Sequence, residues 1–292
     1  MAEIIVYTSA AYNYIPKARA LFRSLRKHHP DWELRLLLAA RFRPDLALHN
    51  EPFDAVSVAA ELNIPDFLGW SFCHSIVEFA TAIKPFMLRQ LLNQGSYRHV
   101  FYIDPDVVVF SPLDDLVEAL ERASIVLTPH QTIPERSLAA VIDNEICSLK
   151  HGIYNLGFLG VSQCQVAIDF SAWWSDRAYH FCRDDKCNGL FTDQRWIDLV
   201  PAFFTDVAIM RSVRHNVAPW NLTTRHITRG DNGEYAVNGE PLGFYHFTGY
   251  DSGAHRLMAM KNGGKNQALA TLMNWYEDQT GGERLDPLKN IQ

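Results

Sequence analysis

Short apolar runs alternate with amphipathic stretches along the first half of the chain. Residues 3–8 form a β-rich run. Pro16 stands where a first helical turn would begin, and residues 17–28 continue with helical spacing. Ala18, Leu21, Phe22 and Leu25 make the apolar stripe, and Arg19, Arg23, Arg26 and Lys27 the opposite face. Residues 34–38 are continuously apolar, as in a strand buried on both faces, and Ala55–Val58 is a second candidate. Residues 75–94 read as helical, with Pro85 marking a break or a fresh start. His99–Ile103 and residues 124–128 are further buried strands. Strand and helix alternating through short connections predict a mostly parallel central sheet flanked by helices, an α/β fold.

The pattern changes after about residue 150. Residues 156–161 predict a strand, and residues 166–182 a helix rich in aromatics. Residues 234–248 contain two short runs around Asn238-Gly239, a favoured hairpin turn. Residues 265–279 predict a closing helix. With no internal repeat and no linker-like stretch, residues 1–292 are expected to form one domain, an α/β first part and an elaborated second part.

Composition narrows the function classes. Hydrophobic residues make up 48% and charged residues 21% of the 292 positions, which excludes a disordered or collagen-like chain. The 27 Lys and Arg against 33 Asp and Glu give a formal charge of -6, so nucleic acid is not an expected partner. Five scattered cysteines do not make a disulfide framework. No apolar run reaches the ~18 residues of a membrane span. The chain runs from Met1-Ala2-Glu3 straight into Ile4-Ile5-Val6-Tyr7 without a signal-peptide pattern. A cytoplasmic protein with reduced thiols is expected, in which the triplet Asn221-Leu222-Thr223 carries no glycan.

The most informative segment is Asp104-Pro105-Asp106, set between the apolar runs 100–103 and 107–110. In an open parallel sheet the carboxyl ends of the strands face the ligand crevice. Two carboxylates there repel each other, and a divalent cation such as Mg²⁺ or Mn²⁺ relieves the repulsion. The same triplet is also good turn chemistry. His246 ends a strand-like run ahead of Gly249 and suits either a metal ligand or a satisfied strand histidine. Thr192 or Asp193 suits a cap for the helix that follows, and Asp193-Gln194 at a helix start equally suits polar groups pointing into a sugar site. Asn155-Leu156-Gly157 and Gly160 allow close backbone approach or mark a bulge. Cys182 and Cys187 read as ordinary thiols, and Trp173-Trp174 as core. The basic face over residues 17–27 reads as solvated, with contact to anionic lipid as the alternative.

In their order, these pieces resemble the metal-dependent glycosyltransferases of the GT-A fold, most closely the retaining galactosyltransferase and glycogenin-like group, glycosyltransferase family 8. The likeness rests on the first strand and its loop Tyr7-Thr8-Ser9-Ala10-Ala11-Tyr12, on Lys84, on Asp104-Pro105-Asp106, on Asn155-Leu156-Gly157, on Asp193-Gln194 and on His246-Phe247-Thr248-Gly249. It covers roughly residues 3–250 as short spaced motifs. It implies that residues 1–130 bind the nucleotide and residues 131–292 close over the acceptor. Asp104, Asp106 and His246 would hold Mn²⁺ or Mg²⁺. Tyr7, Thr8 and Ala10 would line the nucleotide pocket, with Tyr7 or Tyr12 against the base. Lys84, Asp104 and Asn155 would meet the donor, and Asp193 and Gln194 would surround the reaction centre.

The implied reaction moves a sugar from a nucleotide-diphosphate sugar, UDP-sugar foremost, to a hydroxyl of a saccharide or glycolipid, with retention. Retention would put the neutral Gln194 at the sugar face, whereas inversion would call on Asp193 or Asp198 as base. The lysine that the family carries shortly after His-Phe-x-Gly is missing. Tyr250-Asp251-Ser252 stand there, with His255, Arg256 and Lys261 as nearby replacements. The alternatives are a sugar-phosphate nucleotidyltransferase, against which the lack of a Gly-rich basic N-terminal loop counts, and a non-catalytic carbohydrate-binding protein on the same fold.

Overall fold

The computed structural model describes residues 3–46 and 48–281. The first strand, β1 (Ile4–Ala10), is buried along its whole length and leads into α1 (Ile15–His28), which starts on Pro16. β2 (Glu33–Leu38) and β3 (Ala55–Val58) follow. The helical pattern over 75–94 resolves into separate helices after α2 (Phe67–Phe72). Ser75 and Glu78 form a capping box at the start of α3 (Ile76–Ala82), and α4 (Lys84–Gln94) starts afresh at Pro85 and ends on the left-handed Gly95. β4 (His99–Ile103), β5 (Val107–Val109), α5 (Asp114–Leu120) and β6 (Ile125–Pro129) complete the first part.

The second part begins with α6 (Leu138–Ala140), a π-helical turn at Val141–Glu145 and α7 (Ile146–His151). β7 (Tyr154–Ser162) and the long α8 (Gln165–Phe181) come next. Short pieces follow: β8 (Asp184–Asp185), β9 (Leu190–Phe191), α9 (Val200–Phe203) and β10 (Val207–Ile209). β11 (Ile227–Arg229), β12 (Tyr235–Val237) and β13 (Glu240–Pro241) make a small antiparallel sheet. Its predicted turn holds: Asn238 and Gly239 have φ of 51° and 88°, as a two-residue hairpin requires. β14 (Phe244–His246), α10 (Ala254–Gly263) and α11 (Gln267–Gly281) close the described chain.

The main sheet has seven strands in the order β10-β6-β7-β4-β1-β2-β3. It is mostly parallel, with β7 reversed between β4 and β6. β7 and β10, from the second part, share this sheet with the strands of the first. One face packs against α4 and α8 around Tyr7, Met87, Phe170 and Trp174, and the other against α1 around Phe22, Leu36 and Phe101. A third apolar cluster lies under α11, with Tyr276 stacked on Phe247 at 3.7 Å. Trp174 is fully buried, in keeping with its reading as core. The five cysteines are unpaired.

Two features place the site. β14 leaves the small hairpin sheet and pairs antiparallel with β5, setting His246 opposite Val107. The imidazole is thereby brought beside Asp106, the residue just before β5. The predicted basic face of α1 needs correction. Lys17 is buried against Asp251, Arg19 forms a two-pronged pair with Glu51, and Arg26 does the same with Asp54. Of the five cations, Arg23 and Lys27 are the exposed ones. Among the described residues, no helix is long and apolar enough to cross a membrane.

Candidate active site

Asp104 and Asp106 emerge at the carboxyl end of β4, where a one-turn link returns the chain into β5, with Val107 N–H donating to Asp104 C=O at 3.1 Å. His246 Nε2 lies 3.0 Å from Asp106 Oδ1 and 3.7 Å from Asp104 Oδ2. One donor atom from each of the three lies within 4.8 Å of the others. Two carboxylate oxygens and one imidazole nitrogen at this spacing fit a divalent cation, whose ligand distances are about 2.0–2.6 Å.

The orientation of the imidazole is fixed from behind. Asn155 Oδ1 lies 3.0 Å from His246 Nδ1, so Nδ1 carries the donated proton and Nε2 faces the carboxylates. Asn155 Nδ2 in turn donates to Gln194 Oε1 at 3.1 Å and to His130 Nε2 at 3.2 Å. Burial lowers the His130 pKa to about 3, so that ring is neutral and can accept. Gly157 is required at its place. A Cβ there would come within 2.4 Å of His246 Nδ1 and 2.6 Å of Asn155 Oδ1.

Charges around the cluster are balanced by contact. Burial works against charge on His246, but Asp106 and then Asp104 outweigh it, and its pKa is raised. Burial works against charge on Asp106 as well, yet His246 and Lys17 hold its carboxyl below the usual range. Lys84 Nζ stands 3.1 Å from Asp104 Oδ1 and 3.4 Å from Asp193 Oδ2. Burial opposes its charge, and the two carboxylates overcome that and raise its pKa to about 12. Asp104 thus offers one oxygen toward His246 and the other to Lys84 and the Tyr102 hydroxyl.

A cavity of about 740 Å³ opens over the cluster, within the range of about 300–1,000 Å³ usual for small-molecule sites. Six of the residues expected from sequence line it: Lys84, Asp104, Asn155, Asp193, Gln194 and His246. Asp193 is buried, and its entry into the cavity is set by Thr192, which takes a φ of 45°, a strained value for a β-branched residue. Neither residue caps the helical turn that follows. Thr192 Oγ1 donates to Asp193 Oδ1 at 3.1 Å, while Asp193 Oδ2 has no hydrogen-bond donor. Lys84 Nζ, 3.4 Å away, makes an ion pair with it. Gln194 Oε1 accepts from Leu156 N–H at 2.9 Å and from Asn155, and Gln194 Nε2 donates to His151 C=O at 3.0 Å.

Other expectations are not brought to the cavity. Tyr7, Thr8 and Ala10 are buried and do not line it. The Tyr7 hydroxyl donates to Lys84 C=O at 3.0 Å, so Tyr7 anchors the start of α4 instead of meeting a base. Tyr12 is buried too, its hydroxyl donating to Arg41 C=O and accepting from Arg43 N–H. A central strand covered on both faces sends successive side chains into the two core layers, which leaves none for the crevice. Asp198 bonds Ile153 N–H and pairs with Arg195, and it does not line the cavity. Of the three replacement cations, His255 does line the cavity but is neutral, its pKa lowered to about 4 chiefly by burial; Arg256 pairs with Glu277 and Lys261 with Asp143.

Sequence reasoning missed His130 and Trp220. His130 follows β6 just as Asp104 follows β4, so the rule that ligands gather at the carboxyl ends of strands pointed to it. Trp220 meets the His246 ring edge-to-face at 5.6 Å, and its buried Nε1–H has no partner. It follows Pro219 in a single 3₁₀ turn, where the sequence gives no periodic signal.

No known family profile matches the chain. The chain is 25% identical over 248 residues to YfnD, an uncharacterized protein of Bacillus subtilis, spanning 83% of this chain and 76% of that one. To YfnF of the same organism it is 26% identical over 176 residues, 59% of this chain and 57% of the relative. Among solved structures, it is similar to the galactosyltransferase LgtC in complex with donor and acceptor sugar analogs, with a TM-score of 0.51 at 17% identity, over 96% of this chain and 95% of that one. It is also similar to the glycosyltransferase GlyE of Streptococcus pneumoniae TIGR4, with a TM-score of 0.52 at 13% identity, over 96% of this chain and 64% of the other. These likenesses establish the GT-A fold, as expected from the order of the motifs.

Proposed function

We propose that the protein is a retaining glycosyltransferase that moves a sugar from a UDP-sugar to the hydroxyl of a saccharide or glycolipid, with Mn²⁺ or Mg²⁺ held by Asp104, Asp106 and His246. The observation that carries this reading is the Asp-Asp-His triangle with its imidazole locked by Asn155, beneath a cavity of about 740 Å³ that Asp104 and His246 line. When bound, the cation would neutralise the leaving diphosphate. The likeness to LgtC, solved with donor and acceptor sugar analogs, supports a sugar donor and a sugar acceptor.

The chain's own residues supply position and charge. Asp193 Oδ2, buried without a donor, is an acceptor waiting for a sugar hydroxyl. Lys84 Nζ stands between Asp104 and Asp193 and offsets the repulsion between the two carboxylates. Gln194 braces Asn155 and the β7 backbone; its carbonyl oxygen already accepts two bonds, so its contribution to the sugar is positional. Asp198 is engaged outside the cavity, and Asp193 sits against Lys84. Neither is set up as a free base, which supports retention, with the leaving diphosphate taking the acceptor proton. A cytoplasmic location belongs to the same reading and is supported by five unpaired cysteines.

The test is hydrolysis of a panel of nucleotide-diphosphate sugars with Mn²⁺, with Mg²⁺ and with EDTA. Metal-dependent release of UDP from one UDP-sugar supports the reading. Absence of hydrolysis and of binding across the panel refutes it. NMR of the transferred product decides the anomeric outcome.

A further inference from the structure

The diphosphate of such a donor needs cationic partners beyond the metal, and Lys84 is committed to two carboxylates. A second buried ammonium stands at the same end of the sheet. Lys17 lies in the first turn of α1, just past the loop that ends β1. Its side chain is 8% exposed, and its Nζ sits 4.1 Å from the centre of the Tyr14 ring. Its ion-pair partner is Asp251 Oδ2 at 2.5 Å, on a side chain that is 57% exposed. Asp251 belongs to the loop between His246 and α10, whose Thr248 and Gly249 line the cavity, while Lys17 and Asp251 stand just behind that lining. The Lys17 charge is felt at Asp106. α1 has no acidic residue in its first turn and no side-chain cap, so nothing within the helix itself offsets the positive charge at this end.

This pairing is unequal. A buried ammonium requires a counter-ion, whereas a largely exposed carboxylate is already well solvated by water. A diphosphate seated next to Asp106 carries more charge than one carboxylate and makes charge-assisted bonds to an ammonium. We propose that Lys17 is a diphosphate-binding residue of this site, and that Asp251 is its stand-in, displaced when the nucleotide arrives. The loop after His246, which carries no lysine, thus supplies a competing anion, and α1 supplies the cation. This assignment rests on the nucleotide-sugar reading above.

The test is titration calorimetry with inorganic pyrophosphate and with UDP, each with Mn²⁺, on the full chain and three variants. Lys17→Met should weaken both ligands about tenfold or more, the range for a lost hydrogen bond to a charged group. Lys17→Arg should recover most of that loss. Asp251→Asn should tighten both ligands by about threefold to tenfold, since it removes the competitor. A purely structural ion pair predicts the opposite: Asp251→Asn would loosen the site or leave it unchanged, and either result overturns the proposal. In the double variant the gain from Asp251→Asn should vanish. If the unaltered protein binds Mn²⁺ but neither pyrophosphate nor UDP, the nucleotide-sugar reading fails, and the role of Lys17 with it. If it binds both and Lys17→Met binds them equally well, Lys17 alone is misassigned.

Discussion

Asn155→Ala isolates the device that orients the His246 imidazole, because Asn155 is not itself a ligand of the proposed cation. In the native arrangement Asn155 Oδ1 accepts from His246 Nδ1 at 3.0 Å and from Gly157 N–H at 3.1 Å. Alanine removes both contacts and frees the ring to change tautomer or turn. Loss of such an outer partner typically costs about 10–100-fold in metal affinity, equivalent to about 1.4–2.8 kcal/mol. A separate cost falls on the fold, because buried groups that bonded Asn155 lose their partner, at about 1–3 kcal/mol each. Mn²⁺ affinity by calorimetry, alongside a thermal melt, separates the two effects. The expected result is a folded protein with a Mn²⁺ dissociation constant raised at least about tenfold. A folded variant with unchanged Mn²⁺ affinity would show that His246 needs no such partner or is not a ligand.

Three further outcomes follow from the same geometry. Gly157→Ala should disturb His246 from the other side, since its Cβ would meet Nδ1 at 2.4 Å; Mn²⁺ binding should weaken while the secondary structure seen by circular dichroism is kept. The pH dependence should cross over. The raised pKa of metal-free His246 stabilises the fold fully below about 6.5, and that contribution is lost as pH rises through the folded value, whereas Mn²⁺ requires the neutral ring and binds more tightly over the same rise. Melts with EDTA and with Mn²⁺ should therefore diverge as pH increases above about 6.5, and parallel curves would count against His246 as a ligand. Asp193→Ala should reduce turnover more than Gln194→Ala, by about tenfold or more, because it removes a buried acceptor that lines the cavity; steady-state kinetics with the active donor measure this.

The periodic parts of this chain were readable. The unbroken apolar runs of β1, β2, β4, β6 and β7 and the helical stripe of α1 each lie where the pattern put them. Asp104, Asp106 and His246 were readable because each adjoins a strand end, where the fold directs side chains into the crevice. Tyr7 was misjudged because its strand position is the same whether its ring enters a core layer or a pocket; the covering helices decide, and they lie far off in sequence. Lys17 was grouped with a solvated face because helical spacing shows which residues share a side, not what packs against it. Its partner Asp251 is 234 positions away. His130 lies in an irregular loop and Trp220 in a single 3₁₀ turn, Pro219–Asn221, where nothing repeats and tertiary packing alone aims the side chain.

Pulsed electron paramagnetic resonance of Mn²⁺ bound to the protein tests the site most directly, because it reads the atoms around the ion. One directly coordinated histidine nitrogen should be seen, and it should disappear in His246→Ala. Addition of UDP should introduce phosphorus coupling at the same ion. A spectrum without a coordinated nitrogen, or one that UDP leaves without phosphorus coupling, would contradict a single cation that joins Asp104, Asp106 and His246 to the donor diphosphate.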